Sequence, residues 1–378
     1  MPSLYIHIPF CQRKCAYCDF YSIETVALTE TFLDALETEL ALGAPGASGA
    51  EFDTLFFGGG TPSLLDPGQL ARIMRRVRDM YEIRDDAEIT LEANPGTVSP
   101  EKLRAYRSLG VNRLSIGIQS FAPDELLFLG RIHDAAGGAA CVAMARDAGF
   151  ANVSVDLIYS LPGQTVAAWD RTLKRALALR PDHVSAYSLI VEDNTPLSRM
   201  VAANLVSPNP LESEAALYEH TMDVMQREGF EHYEVSNYAR PGFRSRHNSA
   251  YWSGEGYLGF GPSAHSFWHR RTDGVRERRG NVAALGRYCE MLRQGELPVA
   301  MREELGRTEL CNERIFLGLR SSGIDLGLLG EEFGLPADRR ALAEALVGDG
   351  SAVMEAGTLR LTPRGFLLCD EIAARMMM

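Results

Sequence analysis

The sequence opens on its most informative stretch, LYIHIPFCQRKCAYC at residues 4–18. Its first half is an apolar, β-branched run that predicts a buried strand, and three cysteines spaced C-x3-C-x2-C follow it. Zinc sites usually take four ligands, and no further cysteine or histidine follows nearby. Three thiolates on a cubane cluster leave one iron free to hold a substrate or cofactor. The spacing therefore favours a [4Fe–4S] cluster on Cys11, Cys15 and Cys18 over zinc with a distant histidine or cysteines without a metal.

The whole chain has the composition of a soluble globular protein. Its 378 residues suffice for two or three domains, or for one large domain with a tail. A net charge of −12 argues against general binding to nucleic acid or to anionic membranes. No apolar run reaches the ~18 residues of a membrane span, and the N-terminus lacks the features of a secretory signal. We expect a cytoplasmic protein whose four scattered cysteines fill core space, namely Cys141, Cys289, Cys311 and Cys369.

A strand–loop–helix unit recurs from residue 4 to about residue 190. The strand candidates are residues 4–8, 53–57, 88–91, 113–118, 152–158 and 183–189. Two of the helices have clear starts, since Asp66 and Ser99 are each followed by proline at the first helical position. Alternating strands and helices imply a parallel sheet with right-handed crossovers. Six units predict either an open doubly wound sheet or a partial barrel, with the site at the C-terminal ends of the strands.

Polar or glycine-rich residues follow these strand candidates, as such a site requires. The three cysteines follow the first strand, residues 58–62 (GGGTP) follow the second, Glu92 the third and Gln119 the fourth. Asp156 lies near the end of the fifth. Because the C-terminal ends of parallel strands meet at one edge, these residues are expected to share one site.

The pattern changes beyond residue 190. Residues 193–210 are rich in Pro, Asn and Ser and predict a loop, residues 211–228 a helix, and residues 233–237 a strand. From about residue 302, helical runs, a short hairpin at residues 352–361 and a last helix predict a small winged-helix-like domain. The predicted division is a β/α barrel at 1–190, an accessory segment at 191–300 and a helical C-terminal domain at 301–378.

Three motifs together resemble the radical-SAM superfamily, where SAM is S-adenosylmethionine. They are YIHIPF at residues 5–10, CxxxCxYC at residues 11–18 and GGGTP at residues 58–62. The closest resemblance is to the branch that contains oxygen-independent coproporphyrinogen oxidase and the HemW heme chaperones, and it covers nearly the whole chain. It implies an α/β fold, a partial (β/α)6 TIM-like barrel with accessory elements and a small C-terminal domain. In that superfamily the free iron chelates SAM, and one electron from the cluster cleaves a C–S bond to give a 5′-deoxyadenosyl radical.

The resemblance also implies which residues contact the cofactors. They are Tyr5, Tyr17, Gly59, Gly60, Thr61, Glu92, Gln119, Arg131 and Asp156. Carboxylates suit ribose hydroxyls or the SAM ammonium, and an arginine suits the SAM carboxylate. Without the resemblance, each polar residue would more readily be a satisfied polar group or a surface ion pair, and GGGTP an ordinary strand-to-helix turn.

Two features distinguish between the members of this branch. Coproporphyrinogen oxidases of this type usually add a fourth cysteine two residues after the third, and Phe20 stands there in this chain. The stretch HNSAYW at residues 247–252 matches the HNxxYW pattern associated with HemW. A neutral imidazole is a natural axial ligand for heme iron, and aromatic rings offer flat faces for a porphyrin. The heme candidates are therefore His247, Asn248, Tyr251 and Trp252, although His247 also suits a simple hydrogen bond in a glycine-rich turn.

The resemblance implies a heme chaperone that binds a [4Fe–4S] cluster, SAM and heme. Such a protein delivers heme to acceptors such as respiratory proteins and needs an electron donor, and a homodimer is possible. The alternative is a coproporphyrinogen III oxidase that decarboxylates a porphyrin precursor by radical chemistry. A third class is an interaction protein stabilised by zinc.

Arginines are concentrated in one stretch of this acidic chain. They are Arg240, Arg244, Arg246, Arg270, Arg271, Arg276, Arg278 and Arg279. Because arginine binds carboxylates bidentately, we hypothesise that some of them hold heme propionates beside His247. A solvated basic loop, or a contact with an acidic partner, explains the same cluster equally well.

Overall fold

The structure is a computed structural model that describes residues 1–269 and 274–378. Its main element is one sheet of twelve strands in the order β12-β11-β10-β9-β1-β2-β3-β4-β5-β6-β8-β7. The strands are β1 Ser3–Ile8, β2 Glu51–Gly59, β3 Glu82–Ala93, β4 Arg113–Gln119, β5 Asn152–Tyr159, β6 His183–Ser188, β7 Glu231–Glu234, β8 Asn237–Ala239, β9 Tyr257–Phe260, β10 His265–His269, β11 Arg276–Asn281 and β12 Val299–Glu304.

The six predicted strands are confirmed as β1–β6, which are parallel neighbours in chain order. The helices along the chain are α1 Thr29–Gly43, α2 Pro67–Met80, α3 Pro100–Ser108, α4 Pro123–Phe128, α5 Ala135–Asp147, α6 Val166–Ala178, α7 Pro196–Ala202, α8 Leu211–Arg227, α9 Arg246–Trp252 and α10 Leu285–Arg293. The predicted caps form, since Asp66 accepts a hydrogen bond from the backbone N–H of Gln69 at 2.8 Å and Ser99 from that of Lys102 at 3.2 Å. Each cap satisfies an N–H group that the first helical turn leaves without a partner.

The rest of the sheet extends it at both edges. β9 pairs in parallel with β1, so it is a seventh parallel strand that the sequence analysis missed, and β10–β12 continue from it in antiparallel fashion. At the other edge β8 pairs antiparallel with β6, and β7 with β8. The predicted single strand at residues 233–237 is wrong, because the chain turns at residues 235–236 between β7 and β8. The predicted loop at residues 193–210 contains α7, which Thr195 caps at its N-terminus.

The parallel part of the sheet curves strongly, because its outer strands β6 and β9 line the same cavity. Tyr187 on β6 and Tyr257 on β9 line the same cavity although six pairing steps separate their strands. An open, flat sheet would hold these strands far apart, since neighbouring strands lie about 4.8 Å from each other. The parallel strands therefore form a partial barrel with a lateral gap between β6 and β9.

The C-terminal part forms a small helical unit against this gap. It consists of α11 Arg307–Leu319, β13 Ile324–Asp325, α12 Leu326–Phe333, α13 Ala337–Gly348, β14 Ala352–Glu355, β15 Thr358–Leu361, α14 Pro363–Leu367 and α15 Cys369–Met376. The three short strands form a sheet in the order β13-β15-β14, with the predicted hairpin as its last two strands. The unit docks where the backbone N–H of Val235 donates to the carbonyl of Arg320 at 2.9 Å. No helix in residues 1–269 or 274–378 is long and apolar enough to cross a membrane. The division at residues 190 and 300 stays a prediction.

Candidate functional site

The three clustered cysteines lie in the loop that follows β1, at the C-terminal end of the barrel strands. The loop is held at its base, since the N–H of Cys11 donates to the carbonyl of Ile23 at 2.9 Å. The N–H of Thr61, just after β2, donates to the carbonyl of Phe10 at 2.7 Å. Cys11, Cys15 and Cys18 are half-buried thiols, whereas the other four cysteines are buried in the core, as expected.

The donor set of three thiolates on one loop fits a cubane cluster, in which each cysteine ligates a different iron. Two polar groups already point at the sulfurs: the Thr61 hydroxyl donates to Cys11 Sγ at 3.5 Å, and Arg131 Nη1 to Cys15 Sγ at 3.9 Å. Hydrogen bonds of this kind tune the reduction potential of a bound cluster.

The glycines of the GGGTP stretch let two backbone segments approach each other. A Cβ on Gly60 would lie 2.7 Å from the carbonyl oxygens of both Ile8 and Phe10, closer than real Cβ atoms come. Gly59 has a φ of +101°, which side chains rarely adopt, and a Cβ there would meet the ring of His7 at 2.5 Å. The glycines therefore allow the start of the cysteine loop to pack directly against the end of β2.

The cysteine loop and the strand ends enclose a cavity of about 480 Å³, which we call the cluster cavity. Its lining includes the predicted cofactor residues Cys11, Cys15, Tyr17, Cys18, Gly59, Gly60, Thr61, Glu92, Gln119, Arg131 and Asp156. Tyr5 lies behind this wall, with its hydroxyl 3.2 Å from His7 Nδ1 and its ring stacked on Phe56, which does line the cavity. Phe20, where a fourth cysteine would stand in an oxidase, is 61% exposed at the rim.

Two carboxyl groups lie in the wall of the cluster cavity. Burial, with the neighbouring Asp156, raises the pKa of Glu92 to about 8. Burial also raises the pKa of Asp156, although the hydroxyl of Ser115 donates to it at 2.9 Å. A ligand that donates hydrogen bonds or carries positive charge would lower both pKa values, since it stabilises the ionised carboxylates.

Arg113 is a functional candidate that the sequence analysis missed. It is only 2% exposed, yet it lines the cluster cavity, and its charge acts on both Glu92 and Asp156. Its Nε has no hydrogen-bond partner among the described residues. A buried arginine without a paired carboxylate is rare. The signal in the sequence was an arginine at the head of a predicted buried strand, RLSIGIQ at residues 113–119.

Two further groups offer unused hydrogen-bonding capacity towards a ligand. Gln119 has a φ of +67° and a buried Oε1 that finds no partner among the described residues. Arg131 is held by hydrogen bonds from Nη2 to the Asn94 side chain and to the Gly117 carbonyl, the latter at 2.6 Å, and its Nε has no partner in the same part of the chain. An arginine near the thiols suits the carboxylate of an amino-acid end, and the carboxyl groups of Glu92 and Asp156 suit its ammonium or the hydroxyls of a ribose. The residues present therefore fit SAM.

His247 lies inside the core. Its Nδ1 is 2.7 Å from the Thr54 hydroxyl, its Nε2 is 3.1 Å from the Tyr251 hydroxyl, and its ring stacks on Phe56 at 4.8 Å. Burial lowers the pKa of His247 to about 3, which keeps the imidazole neutral. With both ring nitrogens engaged, His247 fastens α9 to β2.

The other three heme candidates line a second cavity, of about 530 Å³, which we call the side cavity. It fills the lateral gap of the barrel, between the β7–β8 turn, α9, β9–β11 and α11. Asn248, Tyr251 and Trp252 lie on its α9 wall, and Tyr187 and Asn248 line both cavities. The two cavities are therefore neighbours.

The clustered arginines lie in different surroundings. Arg246 pairs with Asp53, and Arg244 pairs with Glu231 at 2.8 Å, so neither lines either cavity. Arg240 stacks on the ring of Phe230, at 4.6 Å. Arg276 and Arg278 do line the side cavity, whereas Arg270 and Arg271 lie outside the described residues. Arg279, the third arginine of β11, lines neither cavity, so among the described residues the propionate hypothesis is geometrically open only for Arg276 and Arg278.

Comparisons with known proteins show the family of this chain. Residues 5–176 match the radical SAM superfamily, and residues 305–368 match the HemN C-terminal domain. The chain is 36% identical to the heme chaperone HemW of Bacillus subtilis, over 98% of each chain. It is 38% identical to the heme chaperone HemW of Mycobacterium tuberculosis, over 99% of this chain and 94% of that one.

A solved structure shares the whole fold. It is coproporphyrinogen III oxidase (HemN) from Escherichia coli, a radical SAM enzyme, with a TM-score of 0.84 and 26% identity over 100% of this chain and 90% of that one. The predicted α/β radical-SAM fold is thereby confirmed. The chain belongs to the radical SAM superfamily, in the HemN-like branch that includes the HemW heme chaperones.

Proposed function

We propose that this chain is a heme chaperone that binds a [4Fe–4S] cluster and SAM, holds heme, and passes it to acceptor proteins. The observation that supports this most is the pair of full-length relatives named heme chaperone HemW, at 36% and 38% identity. The second cavity beside the cluster cavity supports it too, because a chaperone needs a seat for its cargo. Respiratory heme proteins as acceptors, an electron donor and a cytoplasmic site of action belong to the same proposal.

In this proposal Cys11, Cys15 and Cys18 ligate three irons of the cluster. A cluster bound there would supply a one-electron centre, and its one iron without a cysteine ligand would be the position for SAM. Arg131 binds the SAM carboxylate, since it already lies within 3.9 Å of Cys15 Sγ. Glu92 and Asp156 accept hydrogen bonds from the ribose hydroxyls, and Gln119 Oε1 gains the partner it lacks.

A second candidate function is oxidative decarboxylation of coproporphyrinogen. The TM-score of 0.84 to HemN favours it, since the scaffold is shared over the whole chain. Phe20 in place of the fourth cysteine and the HNxxYW stretch favour the chaperone.

One experiment separates these two functions. Protein reconstituted anaerobically with iron and sulfide is divided between a hemin titration followed by absorbance and an assay for decarboxylation with coproporphyrinogen, SAM and a reductant. Stoichiometric hemin binding without decarboxylation is the expected result. Turnover to protoporphyrinogen would replace the chaperone with the enzyme. A colourless protein that retains zinc instead of iron would refute both.

A further inference from the structure

The side cavity is a built site with a polar end and an apolar body. Its apolar walls come from aromatic and aliphatic side chains on four different elements: Tyr251, Trp252, Tyr257, Phe267, Leu310, Phe316 and Leu317. A volume of about 530 Å³ falls within the roughly 300–1,000 Å³ range of small-molecule sites. The aromatic rings of α9 and the side chains of α11 both line the cavity and suit a planar, apolar ligand.

Two buried polar groups in the lining of the side cavity have unused hydrogen-bonding capacity. Glu234 is 1% exposed; its Oε2 accepts from the N–H of Ser236 at 3.3 Å, and its Oε1 has no partner within the described part of the chain. Asn237 is 4% exposed, and its Oδ1 is likewise without a described partner. Leaving such atoms unpaired is costly in an apolar setting, which points to a ligand that pairs with them.

Glu234 differs from the other carboxylates around the side cavity. Glu313 pairs with Arg278, and Glu255 lies 3.3 Å from the amino group of Met1. No described lysine or arginine forms an ion pair with Glu234, and burial raises the pKa of Glu234 to about 7, although hydrogen bonds from Ser236 and Asn237 partly oppose the rise. A cationic centre or a metal atom beside its Oε1 would supply the missing compensation.

Arginines lie on two other walls of the side cavity. Arg276 and Arg278 are on β11, and Arg314 is on α11, 3.7 Å from Glu332. Guanidinium groups at this position suit ligand carboxylates, which they bind in a bidentate manner. The cavity thus contains arginines that can bind ligand carboxylates and flat apolar walls that can pack on a ring system. It also contains one carboxylate oxygen, Glu234 Oε1, that can pair with a positive centre.

We propose that the side cavity, closed by α11 of the C-terminal unit, is the seat of the heme cargo, with the ring between α9 and α11 and Glu234 facing the iron. Ferric heme matches all three features, since it is planar, carries two propionates and has a positively charged iron that an anionic oxygen neutralises. His247 positions Tyr251 from within the core and does not ligate the iron, because Thr54 and Tyr251 occupy its two ring nitrogens. This assignment rests on the proposed chaperone function and adds to it where the heme binds.

The first test blocks the side cavity from its α11 wall. Leu317→Trp fills the space meant for the ring, and Leu328→Trp is the matched control, because Leu328 is 58% exposed on α12 and lines neither cavity. In holoprotein carrying its cluster, Leu317→Trp is expected to weaken hemin binding about ten-fold or more, whereas Leu328→Trp leaves it unchanged. Iron content and SAM binding verify that both variants fold; if Leu317→Trp loses its cluster, Trp252→Leu takes its place.

The second test addresses the iron contact by comparing hemin with metal-free protoporphyrin. Glu234→Gln keeps the shape of the side chain and removes its charge. It is expected to weaken hemin binding about ten-fold and to leave protoporphyrin binding unchanged, and the absorbance spectrum of bound hemin changes with it. Equal loss for both porphyrins would overturn the iron contact.

The outcomes separate the seat of the heme from the function itself. If wild-type protein binds hemin and Leu317→Trp binds it equally well, the side cavity is not the seat, although the chaperone function stands. If wild-type protein fails to bind hemin, the proposed function fails and this inference fails with it.

Discussion

Gly60 stands where the cysteine loop crosses the end of β2, and Gly60→Ala tests whether this crossing seats the cluster. The added Cβ would lie 2.7 Å from two carbonyl oxygens and 2.9 Å from the backbone N of Phe10, whereas ordinary contact begins at 3.4 Å. The two segments must therefore separate by several tenths of an ångström. The hydrogen bonds from Gly60 N to Ile8 O, at 2.8 Å, and from Thr61 N to Phe10 O, at 2.7 Å, then approach the limit of a hydrogen bond.

The expected cost follows from these contacts. Overpacking costs about 1–3 kcal/mol and two weakened hydrogen bonds cost about 1 kcal/mol each, so the free energy of unfolding falls by about 3–5 kcal/mol. Gly46→Ala is the control, because a Cβ at Gly46 has nothing within 4 Å. Denaturant unfolding measures the loss of unfolding free energy. The iron and sulfide content per chain measures how much cluster the loop still binds. If Gly60→Ala matched Gly46→Ala in both measurements, the close approach would not be what holds the loop.

Three further predictions address the cluster, the core and the missed arginine. Cys15→Ser is expected to abolish iron and SAM binding while the unfolding midpoint stays within a few degrees; global unfolding instead would indicate a structural metal. Burial raises the pKa of Glu39 from 4.5 to about 7, so the native state holds a proton that the unfolded state has lost. Glu39 therefore contributes about 3 kcal/mol of stability that is lost as the pH rises through that interval. In unfolding curves measured across it, Glu39→Gln should reduce the fall in stability by about this amount, and an unchanged slope would contradict the prediction. Arg113→Gln removes the cation that acts on Glu92 and Asp156, so their pKa values rise and calorimetric SAM binding requires a higher pH; an unchanged pH midpoint would contradict this role.

Local patterns predicted much of the fold because strands, caps and turns depend on neighbouring residues. The apolar run before Cys11 and the caps at Asp66 and Ser99 were predicted in this way, and the structure confirms all three. Prediction failed at residues 235–236, where β-rich sequence on both sides hides a turn. It also failed at β9, a four-residue strand containing a glycine, whose pairing with β1 joins positions about 250 residues apart.

The candidate site shows the same division. Spacing alone identified Cys11, Cys15 and Cys18, because three ligands within eight residues are close together in the sequence and need no long-range contact to meet. Arg113 and Glu234 became candidates only through the structure, which buries both side chains in cavity walls and leaves an atom of each without a hydrogen-bond partner among the described residues.

The sequence by itself determined the cysteine loop, the order of the six parallel strands β1–β6, and the end of the sheet at which polar residues gather. Only the tertiary structure shows that His247 shares a hydrogen bond with Thr54, 193 residues away. It also shows that β6 and β9 line one side cavity. The physical reason is that hydrogen-bond partners and burial are properties of contacts between distant segments. A residue's type determines which hydrogen bonds its side chain can donate or accept, and the curvature of the sheet determines which side chains it contacts.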